Sequence, residues 1–187
     1  MIAATVSAKI YTKKGDKGAS STIKRVGIPK YEAVFEVLGT IDELNATLGL
    51  LHQSKKIKLK KEITALQRDL FEFGALFAKE TPGNDVVHFF VKKTEGLEHK
   101  IDVIDDKNIR LTNFILPGRT KEAGYLHLAR TVCRRLERVL TLYLDKAGKK
   151  GFDEALAYTN RLSDYLFVLA RFHNKRGKAD VKWISVK

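Results

Sequence analysis

Apolar residues along this chain recur at three- and four-residue intervals in five blocks, the spacing that gathers them on one face of an α-helix. Val34, Val37, Ile41, Leu44, Leu48 and Leu51 predict a first helix beginning soon after Pro29. Thr40-Ile41-Asp42-Glu43 has the form of a capping box. The apolar period passes through it without a change of phase, so Thr40 is read as mid-helix and Gly39 as a close-packing position. Leu59, Ile63, Leu66, Leu70, Phe73 and Phe77 predict a second helix that stops before Pro82-Gly83. A third covers residues 86–105, with Val87, Phe90, Leu97, Ile101 and Ile104 facing inward. After Pro117-Gly118 a fourth helix runs over about 120–146, and residues 148–151 turn the chain into a fifth over about 153–174.

The fourth helix carries the most informative pattern. At about 100° per residue, Leu126, Ala129, Cys133, Leu136 and Leu140 form an apolar seam. Arg130, Arg134 and Arg138 step along a second stripe beside it, with Glu137 between stripe and seam, while Arg135 is expected to point straight away from the core. Like charges at i, i+4 and i+8 repel one another. Their closeness to the seam points to a carboxylate or phosphate chain lying against them; the alternative is a solvated face with arginine stems draped over the seam edge. On the first helix Asp42 and Asn45 border the seam, where a carboxylate calls for a cationic partner such as the arginine stripe. On the fifth, Asn160, Asp164, Phe167 and Arg171 share one stripe opposite Leu162, Tyr165, Leu166 and Leu169.

Short links between five long helices predict an all-α fold, a five-helix bundle. Its 187 residues are read as one domain: an irregular N-terminal segment over 1–30, the bundle over 31–175 and a short basic tail over 176–187, with Trp183 and Ile184 docked on a neighbour. No apolar run reaches the ~20 residues of a membrane span, and the opening nine residues lack the layout of a signal or transit peptide. Cys133 is the only cysteine and lies on the seam, so it is read as packing and the compartment as reducing, hence cytoplasmic. His88 and His99 have no partner at metal-ligand spacing. The formal net charge of +13 admits nucleic acid, nucleotides or an acidic surface. Aromatic residues are not interleaved with the lysine patches as single-strand binding requires.

Residues 10–30 bear on that choice. Gly15, Gly18 and Gly27 allow tight turns, Ala19, Ser20, Ser21 and Thr22 let backbone amides approach a ligand, and Lys13, Lys14, Lys17 and Lys30 surround them. Exposed amides, hydroxyls and ammonium groups are the chemistry of a phosphate cradle. The segment is not a GxxxxGK[ST] loop, and a flexible arm is the alternative.

Four blocks, IYTKKGDKGASST, FEVLGTIDELNATLG, FILPG with LHLARTVCRRLER, and TNRLSDYLFVLARFHN, stand in order over nearly the whole chain. Together they resemble the PduO-type corrinoid adenosyltransferases, which adenosylate cob(I)alamin with ATP. The resemblance implies a five-helix bundle working as a homotrimer, with ATP and magnesium held between adjacent subunits. It assigns Thr12, Lys13, Lys14, Gly15, Ser20, Ser21 and Lys30 to the phosphates, Arg130 and Arg134 to the same anion site, and Glu137 and Asn160 to the nucleoside. Asp42 matches an aspartate that pairs with the arginine at Arg130 across a subunit boundary. Phe114 matches an aromatic residue that crowds the lower face of the corrinoid.

A cobalamin reductase and an adenosylcobalamin-dependent enzyme are implied as partners, and neither nucleic acid nor membrane is. Lys14 stands where the family has threonine, Lys24-Arg25-Val26-Gly27 where it has a glycine pair followed by acidic and basic residues, and Arg119 where it has a second glycine. Two other classes fit the charge: a basic helical nucleic-acid binder, and a non-catalytic ATP-dependent carrier of the cobalamin product.

Overall fold

Each apolar block folds as one helix: α1 over Ala33–Gly49, α2 over Ile57–Ala78, α3 over Asn84–Asp105, α4 over Lys121–Ala147 and α5 over Asp153–His173. The computed structural model describes residues 10, 11, 13–147 and 152–185. Thr12 and the turn expected at 148–151 lie outside the described residues. Two small antiparallel ladders join the helices: β1 (Ala19–Ser20) pairs with β2 (Ile28–Pro29), and β3 (Ile115–Leu116) with β4 (Val181–Lys182).

Helix α4 packs against both α1 and α5, while α2 lies on α1 and α3 on α5. The α4 seam is the reason: Leu126, Ala129, Cys133, Leu136 and Leu140 are all fully buried. Large rings fill the space between α2 and α3. Phe73 meets Phe90 edge-on with centroids 4.8 Å apart, and Phe77 meets Tyr143 and Phe152 at 5.0 and 5.3 Å. Such pairs contribute about 0.5–1.5 kcal/mol each beyond their burial. Lys93–Asp69 and Lys100–Glu62, both at 2.6 Å, tie α3 to α2 at the surface.

Several positions differ from the periodic reading. Helix α3 is turned slightly, so that Val86 is buried with Phe90 and Leu97 while Val87 is half-buried. Gly39 is exposed, and a Cβ there would meet nothing within the chain. Arg135 points away from the core, as its phase implies, and there pairs at the surface with Glu43 of α1. Helix α4 is packed on two sides, and Leu128, Thr131, Arg134, Arg138 and Leu142 lie on its exposed face. Arg171, placed on a polar stripe by its phase, is 3% exposed.

The antiparallel course of the helices sorts the chain's irregular segments to two ends. Ile23 donates its amide to Ala78 O at 3.2 Å, so the N-terminal arm lies where α2 ends and α3 begins. Thr120, which caps α4 by accepting the Ala123 amide at 3.2 Å, also donates to His173 O at 3.2 Å. That places the segment before α4 beside the end of α5. Helix α4, with 27 residues, separates these ends by about 40 Å at 1.5 Å per residue.

Arg119 adopts φ +83, directly after Gly118 at φ +115. A side chain in that region is strained by roughly 1 kcal/mol. Arg119→Gly is therefore expected to raise the urea midpoint by an amount equivalent to roughly 1 kcal/mol with unchanged slope. A lowered midpoint would contradict this account of the turn.

Candidate functional site

The arm folds into a cradle by local bonds. Asp16 and Gly18 donate their amides to the carbonyls of Lys13 and Gly15 at 3.3 and 3.2 Å, forming successive turns. Lys30 closes them, its amide donating to Gly18 O and its Nζ to Gly15 O, both at 2.9 Å. A Cβ on Gly15 would lie 3.1 Å from that Nζ, a tight approach that a small shift of the lysine's flexible end could relieve. Lys13, Lys14, Ser21 and Lys30 are exposed and Ser20 is half-buried on β1. The structure thus brings together the described arm residues that the sequence singled out, with the side chains of Lys13, Lys14, Ser21 and Lys30 at the surface.

What holds this arm to the bundle was missed from sequence. Glu80, with its side chain 2% exposed, accepts Thr22 Oγ1 at 2.6 Å, Arg25 Nε at 2.9 Å and Arg25 Nη2 at 2.6 Å. The hydrogen bond to Glu80 is also the main cause of a raised Arg25 pKa. Lys24 Nζ donates to Thr81 Oγ1 at 3.1 Å beside it. Arg25 lies in the stretch Lys24-Arg25-Val26-Gly27, noted as a departure from the family the chain resembles, and it supplies the anchor. The available signal was that departure, four residues long; its partner 55 residues away carried none.

On α4 the ridge lies along the groove with α5. Glu137 Oε1 accepts Asn160 Nδ2 at 2.8 Å, bringing together the two residues assigned to a nucleoside. Arg130 is half-buried and its Nε has no acceptor. Burial first, and then the neighbouring Arg134, lower its pKa, though arginine remains a cation under any ordinary condition. Arg134 and Arg138 are exposed, with Arg138 Nη1 donating to Arg134 O at 3.0 Å. One turn before Arg130, His127 is 4% exposed with both ring nitrogens unpartnered and its ring 6.0 Å from that of Phe167. Burial and the Arg130 charge hold its pKa down. Cys133 is inert, because burial pushes its thiol pKa up and its Sγ donates to Thr159 O at 3.2 Å.

Asp42 is not brought to the ridge of its own chain. It is exposed in a groove of about 280 Å³ between α1 and α2, beside Leu38, Asn45 and Phe71. It has no ion pair among the described residues. Asn45 is buried and exchanges hydrogen bonds with Gln67 of α2, as Asn45 Nδ2 to Gln67 O at 3.3 Å and Gln67 Nε2 to Asn45 O at 3.1 Å.

Phe114 stands at the other end of the bundle, 80% exposed. It lines an open cavity of about 660 Å³ with Leu111, Asn113, Trp183 and Ile184, and its ring meets Trp183 edge-on at 6.4 Å. The tail expected to dock on a neighbour pairs with β3 through Val181 and Lys182, and Trp183 meets Phe114.

Fold and site together define a class: a helical bundle with a lysine-rich turn segment at one end, an arginine ridge along α4 and an open aromatic cavity at the other end. A family model for cobalamin adenosyltransferases matches residues 10–173. A corrinoid adenosyltransferase from Citrobacter freundii is 36% identical over 87% of this chain and 93% of its own length. Corrinoid adenosyltransferase MMAB from Homo sapiens is 39% identical over 88% of this chain and 68% of its own length. A solved variant of a PduO-type ATP:corrinoid adenosyltransferase from Lactobacillus reuteri, complexed with cobalamin and ATP, is 34% identical. It superposes with a TM-score of 0.84, covering 95% of this chain and all of that one. The chain belongs to the cobalamin adenosyltransferase family.

If Glu80 anchors the arm, Glu80→Gln should loosen it without unfolding the helices. Trypsin cleavage at Lys24 or Arg25 is expected to quicken several-fold while helical circular dichroism is unchanged. Unaltered cleavage would remove Glu80 from that role.

Proposed function

We propose that this chain is an ATP:cob(I)alamin adenosyltransferase whose site is completed between copies of itself. The cobalt of cob(I)alamin, as substrate, attacks the 5′ carbon of ATP. A cobalt–carbon bond forms, the carbon–oxygen bond to the phosphate chain breaks, and tripolyphosphate leaves with the bonding electrons. The attacking metal centre is strongly nucleophilic, so no general base is needed. The chain's work is to hold the two reactants in line and to receive the charge gathering on the leaving group.

The carrying observation is that the parts lie apart within one chain. The cradle is at one end of the bundle and Phe114 at the other, a separation of about 40 Å at helical rise. Arg130 lies along the α4–α5 groove and Asp42 in the α1–α2 groove. A second copy that lays its arm along the first copy's ridge brings these parts to one ligand, and a homotrimer does so in a closed ring. Phe71, 70% exposed beside Asp42, is an apolar contact suited to such a boundary.

In this arrangement Lys13, Lys14, Ser20, Ser21, Lys30, Arg130 and Arg134 surround the triphosphate, and the Gly15 turn lets the backbone approach it. Each well-aimed cationic contact contributes ~2–4 kcal/mol to the barrier reduction. Glu137 and Asn160 hold the nucleoside. The described residues contain no cluster of three metal-ligating side chains. Magnesium would be held by the triphosphate oxygens, with the hydroxyls of Ser20 and Ser21 as candidate neutral ligands, and it would supply further neutralisation of the leaving group. Phe114 crowds the lower face of the corrinoid and excludes water, which favours the reduced metal by removing an electron-donating ligand. No helix of the described residues is long and apolar enough to cross a membrane. A cytoplasmic setting, with a reductase supplying electrons and an adenosylcobalamin-dependent enzyme receiving the product, completes the reading.

Protein mixed with ATP, magnesium and chemically reduced cobalamin is expected to give the adenosylcobalamin spectrum with one tripolyphosphate released per turnover. Binding of ATP without either product would leave only a carrier role. Phe114→Ala is expected to lower turnover roughly tenfold or more while ATP affinity stays within about twofold; equal turnover would rule out its role. Asp42→Asn should weaken both assembly and activity, and exchanging the charges of Asp42 and Arg130 should restore part of the assembly. A fully active single variant would show that this pairing is unimportant here.

A further inference from the structure

We propose that the buried pair Arg171–Asp180 is a clamp that sets the position of Phe114, and so governs the corrinoid half of the reaction without touching substrate. This rests on the assignment of the Phe114 cavity to the corrinoid. The segment bearing Phe114 leaves α3 at Asp105 and joins α4 at Lys121, and only Ile115 and Leu116 within it lie in a ladder. Irregular backbone of that length has a large conformational freedom that something else must remove. The chain after α5 removes it. Arg171 Nη2 donates to Ile109 O at 2.5 Å, and the Ile109 amide donates to Arg176 O at 3.0 Å. Ile115 and Leu116 pair with Lys182 and Val181, and the Trp183 amide donates to Phe114 O at 2.7 Å.

The tail reaches that register through a strained turn. Lys175 and Arg176 adopt φ +57 and +58 before Gly177 at +85, so two side-chain-bearing residues sit in the left-handed region. Arg171 and Asp180 hold the turn shut, with Nε 2.9 Å from Oδ2 and side chains 4% and 7% exposed. The other Asp180 oxygen accepts Asn174 Nδ2 at 2.9 Å, and Asn174 Oδ1 accepts the Thr120 amide at 3.2 Å. Asp105, at 3.6 Å from Arg171 Nη1, adds the end of α3. One buried cation thus joins the Phe114 segment, the start of α4 and the tail. The long helices meet through their own apolar cores. The segments that depend on this pair are the ones carrying Phe114 and Trp183.

Trp183 is the chain's single tryptophan, so its emission reports the tail with no ligand present. Asp180→Asn preserves the shape of the clamp and removes its negative charge. Acrylamide quenching of Trp183 is expected to rise about twofold in this variant, with helical circular dichroism unchanged. The KM for cob(I)alamin is expected to rise about tenfold while the KM for ATP stays within about twofold.

Gly177→Ala perturbs the clamp without altering a charge, because a Cβ there would lie 2.9 Å from Arg171 Nη2; it should give the same split between substrates. Should Asp180→Asn fail to fold, the paired change Arg171→Met with Asp180→Leu leaves no charge buried alone and serves the same measurements. Unchanged quenching in a folded variant overturns the clamp, as does an equal loss for both substrates. Raised quenching with unaltered corrinoid kinetics upholds the clamp and overturns instead the assignment of the cavity to the corrinoid.

Discussion

Three guanidinium groups on one side of α4 repel one another, and the packing of that helix gives them nowhere else to go. The seam from Leu126 to Leu140 is fully buried between α1 and α5, so its phase fixes Arg130, Arg134 and Arg138 along the α5 groove. Arg135, one step round, is taken up by Glu43. Arg130 is half-buried with Nε lacking an acceptor. A buried donor left unmade costs about 1–3 kcal/mol, and a neighbouring like charge adds to it. An anionic group lying along the ridge would answer both, which is the physical ground for the anion site proposed there.

The rest of the chain is disposed around that ridge by helix length. The cradle and the Phe114 cavity are each built from irregular segments, and each is fastened to the bundle by a buried carboxylate, Glu80 at one end and Asp180 at the other. Carboxylates suit the task because one group can receive several donors from different stretches of chain. Helices supply the distances, and the two carboxylates supply the placement of the parts that meet ligand.

Periodicity made the helices legible, since burying one face at 3.6 residues per turn leaves a direct trace in sequence; the α4 seam and the mid-helix place of Thr40 were read in this way. It could not place Arg171, because phase says which side of a helix a residue is on and not what lies beyond it. Arg171 shares its stripe with the exposed Asn160 and Asp164, yet the returning tail covers it. The arm's chemistry was legible from its glycines, hydroxyls and lysines, whereas its anchor was not, because Arg25 and Glu80 are joined only by folding. Phe114 was found by resemblance. Its neighbour Trp183 stands in a basic tail with no period to read.

Mixing inactive variants tests most directly whether one copy's cradle serves another copy's ridge. Lys13→Ala with Lys30→Ala disables the cradle, and Arg130→Ala disables the ridge. Neither protein alone should adenosylate cobalamin. Unfolded together in equal amounts and refolded, they should recover about a quarter of wild-type turnover per chain, since that share of boundaries unites an intact cradle with an intact ridge. A mixture no more active than its two components would contradict a site shared between copies.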